Sequence, residues 1–230
     1  MSHAEVSFAV VAQALDFSVV SRSWQLILAG SQLTLILFGA SLALGTVLGL
    51  LLALMRLSPI APLRWLSASF VWVSRGIPTL ITLFFAFYVL PLIGIRLPAV
   101  YAGILGLGVD AAAYKAEIIR SGIMSVDRGQ YEAADALGMK KSHYMRRIII
   151  PQGIRIMVPP YMSNSMTLLK ATSLASVITI QEMTGIANRL IASTFRPIEI
   201  LTTVALMYLA INTVLVLLQE TFERRFALKL

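Results

Sequence analysis

The chain has 230 residues, of which 58% are hydrophobic and only 13% charged, and its mean hydropathy is +0.82. Soluble domains run at about 45–50% apolar and about 25% charged, so a water-soluble globular domain and a disordered chain are both excluded. The formal charge of +8 raises nucleic acid as a partner, while the lack of cysteine excludes a disulfide framework, a thiolate metal site and a thiol nucleophile.

Met1 to Phe17 lack the basic region of a signal peptide and carry Glu5 and Asp16 instead, so residues 1–23 are read as a periplasmic or interfacial segment of the mature chain. Thirty-three residues without an ionisable side chain then separate Arg22 from Arg56. Charge-free runs of 20 separate Arg75 from Arg96 and Glu199 from Glu220. A bilayer core needs about 20 apolar residues per helix, so each run is long enough to cross. Two further apolar stretches hold charges. One contains Asp110, Lys115, Glu117 and Arg120; the other contains Arg155 and Lys170. The working spans are 24–55, 65–91, 98–124, 153–178 and 198–220, which predicts an all-α integral membrane protein of about five transmembrane helices. In domain terms, a membrane unit over 24–223 follows the N-terminal segment 1–23 and precedes a short tail, 224–230.

Five spans place the chain ends on opposite sides. Twelve Lys and Arg then fall on the C-terminal side and four on the other, with Arg75, Lys115 and Lys170 inside spans. The positive-inside rule puts the N-terminus outside and the C-terminus in the cytoplasm. The basic excess is thus topological, spread over three segments, and argues against nucleic acid as a partner.

Residues 125–152, SVDRGQYEAADALGMKKSHYMRRIIIPQ, form the only long polar stretch. They read as two short helices. Asp127 is placed to cap the first, with Gln130 at its third position. Tyr131, Ala134 and Leu137 make a small apolar face, and Gly138 terminates it. Ser142 to Ile149 start the second helix, which Pro151 ends or kinks. Such a helix suits a groove on another protein; a solvated basic loop is the plainer alternative.

The spacing Glu132-Ala133-Ala134, Gly138, Ile148, Ile150-Pro151 resembles the EAA motif, EAA-x3-G-x9-I-x-L-P, of permease subunits of ABC importers, with Ile150 in place of Leu. Three other segments resemble the polar amino acid branch of that family: Arg75-Gly76-Ile77-Pro78-Thr79-Leu80, Ala113 through Ile123, and Leu169-Lys170-Ala171-Thr172-Ser173-Leu174. The likeness covers about 24–225. Ala171 departs from it, because many relatives carry a polar residue there.

The resemblance implies a pore subunit of the bacterial inner membrane, paired with a second copy or a paralogue. It also implies two ATPase subunits beneath the pore and a periplasmic solute-binding protein that delivers a polar amino acid or an opine. The chain has no GxxxxGK[ST] loop, so it is expected to bind no cofactor and to perform no catalysis, with Mg-ATP used by the partner subunits. Tyr131, Glu132, Ala133, Ala134, Leu137, Gly138 and Pro151 are the expected coupling residues. Glu132 pairs with the ATPase in this reading, Ala133 and Ala134 allow close approach, and Gly138 allows the sharp turn.

Ionisable groups inside a membrane cost about 2.5–3.5 kcal/mol each on insertion scales and are functional candidates by default. Arg75, eleven residues past Arg64, is expected about 16 Å deeper along a helix, where its fork suits an α-carboxylate; a counter-ion within the bundle is the structural alternative. The other substrate-path candidates are Glu117, Asn164, Lys170, Thr172, Ser173 and Glu182, although the hydroxyls beside Lys170 are expected for the most part to bond a broken helix backbone. Glu117 is expected to meet Lys115, Arg120 or a group across the dimer. Glu182 is expected at the outer mouth or on plain surface. Asn164 is expected beside a break at Pro159-Pro160. Gly45 and Gly49 form a GxxxG pair suited to helix packing, and neither His3 nor His143 has a partner at metal-ligand spacing. A self-sufficient carrier or channel, and a poreless scaffold, are the competing readings. The EAA segment speaks against both, because neither needs a docking helix.

Overall fold

The computed structural model describes residues 15–226, with side chains to residue 223. Most of the N-terminal segment and of the C-terminal tail lies outside the described residues. Helices account for all the regular structure among the described residues: α1 Ser18–Arg22, α2 Trp24–Leu57, α3 Ala61–Gly76, α4 Thr79–Phe84, α5 Ala99–Met124, α6 Arg128–Ala136, α7 Lys141–Tyr144, α8 Ile150–Ala171, α9 Met183–Thr194 and α10 Pro197–Phe226.

α5 is the central element, with Ala102, Leu107, Ala112, Ala113, Lys115 and Ala116 all buried. Its small residues let α2 come close. A Cβ at Gly45 would stand 2.9 Å from Ala111 Cβ, and one at Gly49 would stand 2.8 Å from Lys115 Cβ and 3.0 Å from the Ala112 carbonyl. The GxxxG pair therefore packs α2 on α5 within one chain. α4 approaches in the same way, with Leu83 against Gly106. Leu37, Leu83, Leu107, Leu168, Leu169 and Ile178 belong to the cluster that unites these helices with α8. Outward faces of α2 and α10 expose Leu35, Ile36, Leu51, Leu206 and Leu217, as helices in hydrocarbon do.

α2, and α10 over Pro197–Glu223, are long and apolar enough to cross a membrane. α3 and Thr79–Ile93 pass together as one bent pair, whereas α5, with four charges, and α8, with Arg155 and Lys170, fall short by composition. The expected span 65–91 is not one helix. α3 and the segment Thr79–Ile93 meet at 106°, because Pro78 biases Ile77 to an extended backbone, with φ −102° and ψ 133°.

Prolines at two sites leave the chain helical. Pro151 was expected to end or kink its helix, and it does not end it: α7 runs through a π-helical turn, Met145–Ile149, into α8. A proline ring clashes with the carbonyl four residues back and donates no N–H, and the wider turn absorbs both faults. A second π turn, Phe85–Val89, precedes Pro91. Pro159-Pro160 does not break α8 either, and both residues lie inside it. The break falls at Thr172–Ile178, a tight 3-10 segment that ends at Thr179 in the left-handed region, φ 70°. The expected span 153–178 thus ends seven residues short as α-helix. After it, α9 forms between the expected spans 153–178 and 198–220, where the sequence reading placed no helix. Met183, Ile186, Ala187 and Leu190 make its buried stripe, which Asn188 and Arg189 masked.

Candidate functional site

The polar loop folds as one packed unit. Asp127 Oδ1 accepts from the Gly129 N–H at 2.7 Å and caps α6. The capping box stays half made, because Gln130 instead accepts from Gln152 at 3.3 Å. At the other end Gly138 has φ +66°. Its N–H donates to the Asp135 carbonyl at 2.9 Å, and the Met139 N–H donates to the Ala134 carbonyl at 3.0 Å. That pair of bonds is a Schellman stop, which an L side chain at Gly138 strains.

Seven coupling residues were expected, and the structure sorts them into two faces. Ala134 is 2% exposed and packs with Val126, Tyr144 and Ile149. Tyr131 turns inward too, edge-on to Tyr144 at 6.2 Å, and its hydroxyl donates to the Ile123 carbonyl at 3.0 Å. Burial, with Tyr144 alongside, pushes the Tyr131 phenol up, so it stays protonated and donating. Ala134 and Tyr131 therefore bind the loop to α5 and do not belong to an outward surface. Glu132, Ala133 and Leu137 face out, and Leu137 is 79% exposed. Glu132 is paired with Arg128 at 3.1 Å, both exposed, a contact worth little on its own. Pro151 lies on α8, away from this face.

Arg75 lies at the corner between α3 and α4, so the depth expected from a straight helix does not apply. It stacks over the Tyr114 ring at 5.3 Å. Both line a groove of about 470 Å³ with Arg56, Trp72 and Glu117. Glu117 is gripped by Arg120 through Nε at 3.0 and 3.1 Å and again through Nη2, with Arg56 at 3.9 Å. Lys115 is not its partner, being two positions away on a helix and so on another face. Wholly buried Lys115 sits 3.6 Å from the Tyr161 ring centroid and donates to Ser165 at 3.3 Å. Cation–π contact and a hydroxyl hold it there.

A second groove, of about 400 Å³, opens between the 3-10 segment, α9 and α10, lined by Lys170, Ser173, Thr184 and Tyr208 among others. Lys170 is exposed in the single chain. Ser173 donates to the Lys170 carbonyl at 2.7 Å. Thr172 takes the second of the two expected roles: it is wholly buried and donates to the Leu169 carbonyl at 2.6 Å, closing the tight turn rather than facing a path. Asn164, half buried within unbroken α8, has its Oδ1 buried without a hydrogen-bond partner in the structure.

Glu182 is neither surface nor outer mouth. It is wholly buried. Its carboxylate accepts from the Thr184 and Gly185 N–H groups at 2.9 Å each, and from Tyr208 at 2.9 Å, with the Thr34 hydroxyl at 3.4 Å. Thr34 in turn accepts from the Met183 N–H at 3.1 Å. The N-terminus of α9 supplies positive dipole where a counter-ion would otherwise be needed. One carboxylate so ties α2, α9 and α10 together. Thr34, Tyr208 and Lys115 were missed as participants. Only Lys115 carried a signal, as a charge inside a span.

Residues 45–228 match the family described as "Binding-protein-dependent transport system inner membrane component". The chain is 43% identical over 195 residues to an octopine transport system permease protein of Rhizobium meliloti, covering 81% of this chain and 80% of the relative. It is 34% identical over 214 residues to an L-cystine transport system permease protein of Bacillus subtilis, covering 92% of each. Among solved structures, the crystal structure of an amino acid ABC transporter with histidines superposes with TM-score 0.87 at 35% identity, covering 92% of this chain and 99% of that one.

Proposed function

Since the chain belongs to the family of binding-protein-dependent transport system inner membrane components, it is a multi-pass permease subunit of an ABC importer, and we propose that a polar amino acid or an opine passes through it, with α6 as the coupling element. It is not itself an enzyme, because ATP hydrolysis in this family belongs to separate subunits. In this reading two ATPase subunits dock at the polar loop, a second permease copy or a paralogue completes the pore, and a solute-binding protein delivers cargo to the opposite side. The N-terminus is periplasmic and the C-terminus cytoplasmic, as the distribution of Lys and Arg implies.

The observation that carries the reading is the two-faced loop. Inward, Tyr131 and Ala134 fix α6 to the end of α5; outward, Glu132, Ala133 and Leu137 are left to meet a partner. A short helix held rigidly at the end of a long one transmits a hinge motion that a floppy loop dissipates. Arg75, over Tyr114 and beside Glu117, is the residue on the path best suited to a cargo carboxylate. Lys170 and Ser173 line a separate groove beside α10. Uptake into proteoliposomes holding the permease with its ATPase partner is the test. Uptake that requires ATP inside the complex supports the reading; uptake driven by a proton gradient alone contradicts it.

A further inference from the structure

Three helix ends meet where the polar loop leaves the bundle: the last turn of α2 with Arg56, the first turn of α3 with Arg64, and the end of α5 with Arg120 and Met124. Arg56, Arg64 and Arg120 line one groove there, of about 400 Å³, with Trp65 and Met124. No acid lines it among the described residues. Glu117, in the adjoining groove, is already held by Arg120 and approached by Arg56. Three guanidiniums against one carboxylate leave the groove with a net positive charge. Arg64 is aimed by its own chain, since one Nη donates to the Ser58 and Pro59 carbonyls at 3.2 and 2.8 Å.

The apolar edge of the groove has the form of a membrane boundary. Along α3, Trp65 is 72% exposed, Leu66 63% and Trp72 79%. α4 packs along α5, with Leu83 on Gly106 and Thr79 bonded to Asp110. A bend of 106° then turns α3 out of the line of the segment that follows it. Exposed tryptophans on such a helix sit at headgroup level, and basic pockets at that level select anionic headgroups.

We propose that this groove binds an anionic phospholipid, with the phosphate on Arg56 and Arg64 and an acyl chain along Trp65 and Leu66. A guanidinium fork matches a phosphate in two hydrogen bonds. The site shares Arg56 with the groove of Arg75 and Glu117, whereas Arg64 and Trp65 line only this one of the two.

The chain has three tryptophans, so the Trp24→Phe, Trp72→Phe double variant leaves Trp65 as the sole reporter. The full chain is reconstituted in phosphatidylcholine vesicles carrying a minority of brominated phosphatidylglycerol or of brominated phosphatidylcholine, and quenching of Trp65 is read. Brominated phosphatidylglycerol is expected to be preferred by about fivefold or more. The preference falls toward parity in Arg64→Gln and is kept in part in Arg64→Lys, which retains the charge without the fork and also shows that the fold is kept. Equal quenching by the two lipids overturns the proposal, as does an undiminished preference in Arg64→Gln. Quenching by neither lipid overturns it too, because protein then covers Trp65.

Discussion

The Tyr131 hydroxyl donates to the Ile123 carbonyl at 3.0 Å, bonding the helix of the polar loop to the end of the central membrane helix. Ile123 lies in the last turn of α5, where carbonyls lack the usual partner one turn on, and its carbonyl otherwise takes a long bond of 3.5 Å from the Val126 N–H. The phenol adds a shorter bond at this helix end and ties α6 to it.

Tyr131→Phe removes that bond and keeps the ring against Tyr144. A hydrogen bond of this kind contributes about 1 kcal/mol. The variant is expected to insert normally and to lose ATP-driven uptake several-fold. Uptake and protein level measured together check this; unchanged uptake would remove Tyr131 from the linkage.

Gly138 holds φ +66°. A branched or long side chain there costs about 1–2 kcal/mol of backbone strain, whereas Asn tolerates the left-handed region. Gly138→Leu is expected to reach the membrane at normal levels and to abolish uptake, and Gly138→Asn to retain most of it. Equal uptake by the two variants would show that the turn does not matter.

Gly49 and Gly39 lie on the same helix in different surroundings. A Cβ at Gly49 meets Lys115 and the Ala112 carbonyl, while one at Gly39 meets nothing within 4 Å. Gly49→Val is expected to lower the melting temperature in detergent markedly, and Gly39→Ala to leave it within about a degree, since surface changes fall within about 0.5 kcal/mol. Similar melting of the two variants would contradict the packing of α2 on α5.

Glu182→Ala leaves the N–H groups of Thr184 and Gly185 and the Tyr208 hydroxyl without their acceptor. Each orphaned group costs about 1–3 kcal/mol, so the variant is expected to melt well below the parent. Glu132→Ala removes only an exposed pair with Arg128 and is expected to melt with it. A Glu182 variant as stable as the parent would mean that the buried node bears no load.

Arg75→Ala removes the cation from the groove it shares with Tyr114 and Glu117. Half-saturation of cargo-stimulated ATPase activity is expected to rise about tenfold, the loss of one charge-assisted contact. An unchanged half-saturation sinks the carboxylate role.

The outer helices and the stop of α6 were legible in the sequence for identifiable reasons. Charge-free runs mark α2 and α10, and Gly138 after a short helical pattern marks the Schellman turn. Three features were not legible. Pro78 bends the chain by 106°, but sequence shows only that a proline is present, and Pro159-Pro160 within α8 bends nothing comparable. α9 was hidden because its polar residues outweigh a short apolar stripe, and because its cap, Glu182, looks like a surface acid until Thr34 and Tyr208 are brought to it from 148 and 26 residues away. The outward turn of Leu137 was also invisible: helical spacing grouped it with Tyr131 and Ala134, which do pack inward, but Leu137 lies past the last residue of α6 and is exposed.

Because the chain has no cysteine, single cysteines test the coupling face cleanly. Leu137→Cys and Ala134→Cys, three residues apart, present the outward and inward faces of one helix. In the assembled importer Leu137→Cys is expected to cross-link to an ATPase subunit with a yield that changes when ATP is added, and Ala134→Cys to give no such product. Capture of no ATPase subunit at Leu137, or labelling of Leu137→Cys by an impermeant reagent added outside intact cells, would contradict the coupling role of α6.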